Sequence, residues 1–273
     1  MQEELFQQYA YLVHQRFGIQ LPPEKKSLLE SRLFKLLNNH LGEPGFGDEE
    51  EFLRYLGNDA SGRAMGLLAE AITTHHTFFM READHFDFFG QQVLPYLAES
   101  IRDGDVRTWC AACSSGEESY TMAMVMAEFF ALRGSGWETT LLATDLSKDI
   151  LEVARSGIYE DAAVATLPDR WKAQFFHRLP DGRWQISDLL KQRVLYRQFN
   201  LMRTAFPFRK PFHVIFCRNV MIYFDAATRD ALVRKFYDYL EPGGFLFVGH
   251  SEVVDRQSAP FQYVMPSVYR RAP

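Results

Sequence analysis

Residues 107–120, RTWCAACSSGEESY, hold the deciding pattern. An apolar run at about 106–112 meets a small polar turn with one glycine, and a helical pattern follows over 117–132. Strand, tight turn and helix in that order open a doubly wound α/β sheet, whose ligands sit where the strands end. The same stretch holds a Trp-Cys-x-x-Cys pair of the kind a redox site uses. Such a site needs its first cysteine at a helix N-terminus, where the dipole lowers the thiol pKa. Cys110 instead falls inside the strand pattern, so a buried packing role is expected. A zinc site would need further ligands, and Cys217 is the only other thiol.

Downstream, strands are expected at 139–144, 193–199, 212–217 and 244–249, with helices at 148–156 and 228–240. This alternation predicts an α/β fold with a mostly parallel, doubly wound sheet. Segments 261–265 and 267–271 are expected to close it as an antiparallel edge hairpin. The long interval 157–192 contains FFHRLPDGRWQIS, where Pro-Asp-Gly between aromatic segments predicts a tight turn. A small β insertion is therefore expected at about 172–197. Upstream there is no strand pattern. Helices are expected at 2–17, 24–39 (opened by Pro22-Pro23), 48–57 and 61–74, with the loop LGEPGFGD between the second and third. The division falls near residue 80: a helical domain 1–80 and an α/β domain 81–273.

Composition narrows the class. The chain has 273 residues, 24 of them Phe, a net charge of −5 and three cysteines. These figures predict a sizeable core and, without a disulfide framework, a cytoplasmic setting. No apolar run reaches the roughly 18–20 residues needed to cross a bilayer, and the N-terminus lacks a signal-peptide pattern. The acidic balance argues against nucleic acid as a partner.

The turn at Gly116 lacks the GxGxxG fingerprint, so it offers no glycine bed for a pyrophosphate. Glu117 and Glu118 would repel phosphates where a helix dipole attracts them. Acidic groups here suit a cationic, phosphate-free cofactor, and S-adenosyl-L-methionine, with its ammonium and sulfonium, is such a molecule. Ser115-Gly-Glu-Glu118 also matches a capping box, so Glu117 is expected as ligand and Glu118 as cap. Asp145 ends the second strand, where an acidic residue binds ribose hydroxyls, though an N-cap role is open to it. Asn200-Leu201 end the third strand and Arg218-Asn219 the fourth. Polar residues at four successive strand ends describe one site.

Six ordered segments resemble the CheR family of S-adenosylmethionine-dependent methyltransferases: ITTHHTFFMREADHF, WCAACSSGEESY, ATDLSKDILEVARSGIY, FNL, FHVIFCRNVMIYF and LEPGGFLFVGHSE. The resemblance implies a class I methyltransferase domain behind an N-terminal helical domain, and methyl esterification of chemoreceptor glutamates with S-adenosylhomocysteine as product. It implies cofactor contacts at His75, Thr77 and Arg81, with His75 standing where some members have Asn. Glu117, Asp145, Asn200, Leu201, Arg218 and Asn219 complete that shell, with Asn200 near the adenine. Tyr223 resembles the residue beside the transferred methyl, and Arg81 could hold the incoming carboxylate.

Methyl transfer from a sulfonium is an in-line displacement. A glutamate with a pKa of about 4.3 is already ionised at neutral pH, so no strong base is required. Alignment alone can supply about 7–11 kcal/mol of such a barrier. The implied substrate, the cytoplasmic helical domain of methyl-accepting chemoreceptors, is acidic. Lys25, Arg32 and Lys35, with Lys26 nearby, fall within about a quarter turn of helix 24–39 and are expected to dock it. A plain solvated helix face is the alternative. The short RLPDGRW turn departs from the Gly-rich loop of members that bind a receptor tail peptide, which favours a tail-independent enzyme acting as a monomer. A non-catalytic cofactor-binding signalling module remains the competing function.

Overall fold

The computed structural model describes residues 1–39, 47–255 and 257–273. Residues 41–46 of the LGEPGFGD loop lie outside the described residues.

Four helices form the first layer: α1 (Glu3–Phe17), α2 (Lys26–Asn39), α3 (Glu49–Asn58) and α4 (Arg63–Ile72). Apolar residues at helical spacing give each of them one buried face. Phe6, Tyr9 and Val13 of α1 meet Leu29 and Leu33 of α2, Phe52 of α3 and Leu68 of α4 in a separate core. Pro22-Pro23 opens α2 through a 3₁₀ turn, Pro23–Lys25. After α4 an extended segment leads to α5 (Ala83–Phe88), which runs through a π turn into α6 (Leu94–Ser100).

The α/β part begins with β1 (Thr108–Ala111), α7 (Glu117–Ala131), β2 (Leu141–Asp145) and α8 (Lys148–Ser156). The short elements β3 (Ile158–Tyr159), α9 (Asp161–Val164), α10 (Asp169–Phe175), β4 (Phe176–Arg178), β5 (Trp184–Ile186) and α11 (Asp188–Lys191) follow. The chain returns through β6 (Val194–Gln198), β7 (Phe212–Cys217), α12 (Ala226–Asp238), β8 (Leu240–Val248), β9 (Gln262–Met265) and β10 (Val268–Arg270). The main sheet has the order β6-β2-β1-β7-β8-β10-β9. Its first five strands are parallel, and β10 and β9 are antiparallel. The order reverses at β1, so the binding crevice opens at the carboxyl ends of β1 and β7.

The β insertion is a three-stranded antiparallel sheet, β3-β5-β4, turned by Pro180-Asp181-Gly182. It starts earlier than the pattern suggested. Val194–Gln198, placed partly inside the 172–197 insertion, instead pairs in register with β2 in the main sheet. The periodicity of short strands does not say which sheet they join. Pairing partners do.

The abundant phenylalanines fill both faces of the sheet. On one face Trp109 is enclosed by Phe199, Phe206, Phe208, Phe212 and Phe236, and its indole N–H donates to Thr144 Oγ1 at 2.9 Å. Burying a ring of this size contributes a few kcal/mol, at about 25 cal/mol per Å². Cys110 and Cys113 are fully buried. Burial drives both thiols well above their usual pKa, the opposite of what a redox pair requires. Among the described residues no helix is long and apolar enough to cross a membrane.

Candidate active site

The strands that end in polar residues lie side by side in the order β6, β2, β1, β7, and their ends share one cleft. His75, Thr77, Arg81, Asp145, Asn200, Leu201, Arg218, Asn219 and Tyr223 all line it. Glu118 lines it as well. Glu117 is not among the lining residues: it is buried, and its Oε2 accepts from Ser115 Oγ at 2.6 Å. Two expectations are therefore corrected. Glu118 does not close a capping box, because Gly116 is the N-cap and no side chain caps α7. Glu118 faces the opposite way, accepting from Arg218 Nη1 at 2.9 Å and from the Cys110 thiol at 3.3 Å. Adjacent helical positions differ by about 100° in azimuth, and only the tertiary setting reveals which faces the cleft.

Gly116 serves packing and not phosphate binding. Its φ is +98°, and a Cβ would lie 2.9 Å from Tyr196 Oη and 3.0 Å from Tyr159 Oη. Those hydroxyls are engaged beneath the turn, Tyr196 with Ser119 Oγ at 2.9 Å and Tyr159 with the Ser115 carbonyl at 2.8 Å. The turn is further shaped by Ala112 and Ser114, both at positive φ. Of the six non-glycine residues at positive φ among the described residues, Ala112, Ser114 and Asn219 line the cleft, and Met80 and Glu82 flank Arg81. Such conformations are costly for L-residues and cluster where function requires them.

Asp145 accepts from the amides of Ser114 at 2.9 Å and Ser147 at 3.1 Å, which fixes its carboxylate at the end of β2. Burial raises its pKa, and its two amide donors and nearby His75 oppose the rise. Burial likewise raises the Glu118 carboxyl, with Arg218 opposing. Ser114 Oγ is buried without a partner among the described residues. An orphaned hydroxyl, two carboxylates in a dry cleft and the apolar side chains of Phe17, Ile19, Leu201 and Val220 fit a cationic nucleoside cofactor. Asn200 sits at the expected place, but its amide is committed: Nδ2 donates to the Arg16 carbonyl at 2.8 Å and Oδ1 accepts from the Met202 amide at 2.9 Å.

Arg218 ties the cleft to the preceding segment. Its guanidinium bridges Glu118 and Glu82, at 2.9 Å each, and donates to the Arg81 carbonyl. Burial alone would raise the Glu82 carboxyl, but Arg218, Asn219 and the His250 amide hold it below its usual value. Glu82, His85 and His250 bring possible ligand atoms within 4.8 Å of one another. Glu82 is already saturated, and the adjacent Arg218 cation opposes a metal ion there.

Glu252 is a residue the motif pattern contained without its role being legible. Its buried carboxylate accepts from the amides of Asn219 at 2.8 Å, Met221 at 2.6 Å, Ile222 at 3.3 Å and Gly249. It thereby fixes the lip that carries Asn219 and Tyr223. The helical layer closes the same lip from outside. Gln20 donates to the Tyr223 carbonyl at 2.8 Å, and His14 pairs with Asp225, the N-cap of α12. Glu70 of α4 caps α8 in the same manner, accepting from Ser147 Oγ and from the Asp149 amide at 3.2 Å.

The four docking candidates fare differently. Lys25 and Lys35 are exposed, and Lys26 pairs with Glu3 at 3.0 Å. Arg32 is turned inward onto the end of α4, with three hydrogen bonds to Ile72, Thr73 and Thr74. It is a bound structural cation, contrary to its expected place on the free face.

Two family descriptions match the chain: "CheR methyltransferase, all-alpha domain" over residues 4–73 and "CheR methyltransferase, SAM binding domain" over 75–269. The chain is 40% identical over 263 residues to a chemotaxis protein methyltransferase of Borreliella burgdorferi, covering 95% of this chain and 91% of that protein. It is 36% identical to the chemotaxis protein methyltransferase of Salmonella typhimurium, covering 90% of this chain and 83% of that one. The corresponding Escherichia coli protein is 35% identical over the same shares. The strand-end cleft, its acidic donor set and these matches together show that the chain belongs to the CheR methyltransferase family and is an enzyme with S-adenosylmethionine as its cofactor.

Proposed function

We propose that this enzyme esterifies glutamate side chains of methyl-accepting chemoreceptors, giving glutamate methyl esters and S-adenosylhomocysteine during chemosensory adaptation. One observation carries the reading. Arg81 lines the cleft with Nη1 anchored on the His76 carbonyl at 2.7 Å and its guanidinium 5.8 Å from the Phe78 ring centroid. Its remaining N–H groups have no hydrogen-bond partner among the described residues, so a planar fork is left for a carboxylate. When bound, S-adenosylmethionine supplies a methyl group on a positively charged sulfur. Arg81 holds the ionised carboxylate, the Tyr223 hydroxyl orients it from the opposite lip, and the surrounding apolar residues limit water. The chain divides its labour near residue 80, with 1–80 docking and 81–273 catalysing.

Lys25, Lys26 and Lys35 form the docking face for the acidic receptor helices, in the cytoplasm and without nucleic acid. The tight Pro180–Gly182 turn supports a monomeric enzyme that needs no receptor tail peptide. Incubation with methyl-labelled cofactor and receptor cytoplasmic domains tests the whole reading. Base-labile label on the receptor supports it. Cofactor binding without transfer marks a non-catalytic signalling module instead.

A further inference from the structure

The cation that was expected to meet the receptor has another task. Arg32 Nη1 donates to the carbonyls of Ile72 at 2.6 Å and Thr73 at 3.2 Å, and Nη2 donates to Thr74 Oγ1 at 3.0 Å. Ile72 is the last residue of α4, so Arg32 satisfies helix-terminal carbonyls that lack intrahelical partners and carry the negative end of the dipole. All three acceptor residues line the cofactor cleft, immediately before His75 and Thr77. The bracing continues from Thr73. Its Oγ1 donates to the Ala69 carbonyl at 2.9 Å and so accepts from His75 Nε2 at 2.8 Å, which fixes the ring and leaves Nδ1 as the acceptor.

We infer that Arg32 is a positioning residue of the cofactor cleft, through which α2 sets the 72–77 wall that receives S-adenosylmethionine. The inference rests on the cofactor assignment and separates Arg32 from its neighbours on α2. Lys25 and Lys35 act on the receptor by charge, where one cation replaces another. Arg32 acts by a fork whose three bonds a lysine ammonium cannot reproduce.

Calorimetric titration of S-adenosylhomocysteine into the full chain, with no receptor present, tests this. Arg32→Lys keeps the charge and is expected to weaken binding about three- to tenfold, and Arg32→Ala more than tenfold. In transfer assays the KM for S-adenosylmethionine rises in both variants, and the KM for receptor stays near wild type in Arg32→Lys. Lys25→Glu with Lys35→Glu should show the reverse split. Wild-type affinity for S-adenosylhomocysteine in Arg32→Lys, or a raised receptor KM alone in Arg32→Ala, would overturn the inference. Failure of the wild-type chain to bind S-adenosylhomocysteine would instead overturn the cofactor assignment.

Discussion

Replacing Glu252 by Gln removes one of two carboxylate oxygens that together collect four backbone N–H groups. Oε2 serves Asn219 and Gly249, and Oε1 serves Met221 and Ile222. In either orientation the new NH₂ group faces two amide donors and can accept from neither. A buried donor left unsatisfied costs about 1–3 kcal/mol, so two cost roughly 2–6 kcal/mol. Ile222 is half exposed and lets water recover part of this, which brings the expected cost to about 3 kcal/mol. Asn219 holds a φ of +60° under this restraint, so the loss is expected to appear as local opening of the 219–223 lip. An opening of about 3 kcal/mol lowers kcat roughly a hundredfold, since each 1.36 kcal/mol is tenfold. Urea unfolding and single-turnover methyl transfer measure the two effects side by side. A Glu252→Gln protein within about 0.5 kcal/mol of wild type and with undiminished turnover refutes the role of Glu252 in holding the lip.

Three further outcomes are expected. Arg81→Ala should fold with an unchanged melting profile yet lose methyl transfer by at least about a hundredfold, as removal of a substrate-orienting fork implies; near-normal turnover in the folded variant takes Arg81 out of the mechanism. Gly116→Ala forces a Cβ to 2.9 Å from Tyr196 Oη at a φ of +98° and should cost about 2–4 kcal/mol by urea denaturation, with wild-type stability arguing against the tight turn. Burial raises the Asp145 and Glu118 carboxyls, and a cationic ligand favours their charged forms. Affinity for S-adenosylmethionine should therefore be full above their raised pKa values and fall as pH drops through them, with protons released on binding; calorimetry from pH 7.5 to 5.5 showing constant affinity would contradict this.

The order of elements was legible in the sequence because it rests on local periodicity. Helix 148–156 and strand 212–217 were placed to the residue, Lys148–Ser156 being held by the Ser147 cap and the Gly157 terminus. The strand-end positions of Asp145, Asn200 and Arg218-Asn219 followed from the same logic, because a strand ends where its apolar run ends. The exchange of Glu117 and Glu118 was not legible, because both satisfy the helix start equally well. Burial beside Arg218 and Cys110 selects between them. Nor did helical azimuth distinguish Arg32 from Lys35, since azimuth says nothing about which cation meets the end of a neighbouring helix.

The sequence alone determined the elements, their order and the strand ends that carry chemistry, since short-range sterics and apolar spacing act along the chain. Tertiary structure decided how charges are partnered. The Arg218 bridge between Glu118 and Glu82, the amides gathered by Glu252, and the inward turn of Arg32 join residues from about 30 to about 140 positions apart. A buried charge is tolerated only where such partners converge, and convergence is a property of the folded chain.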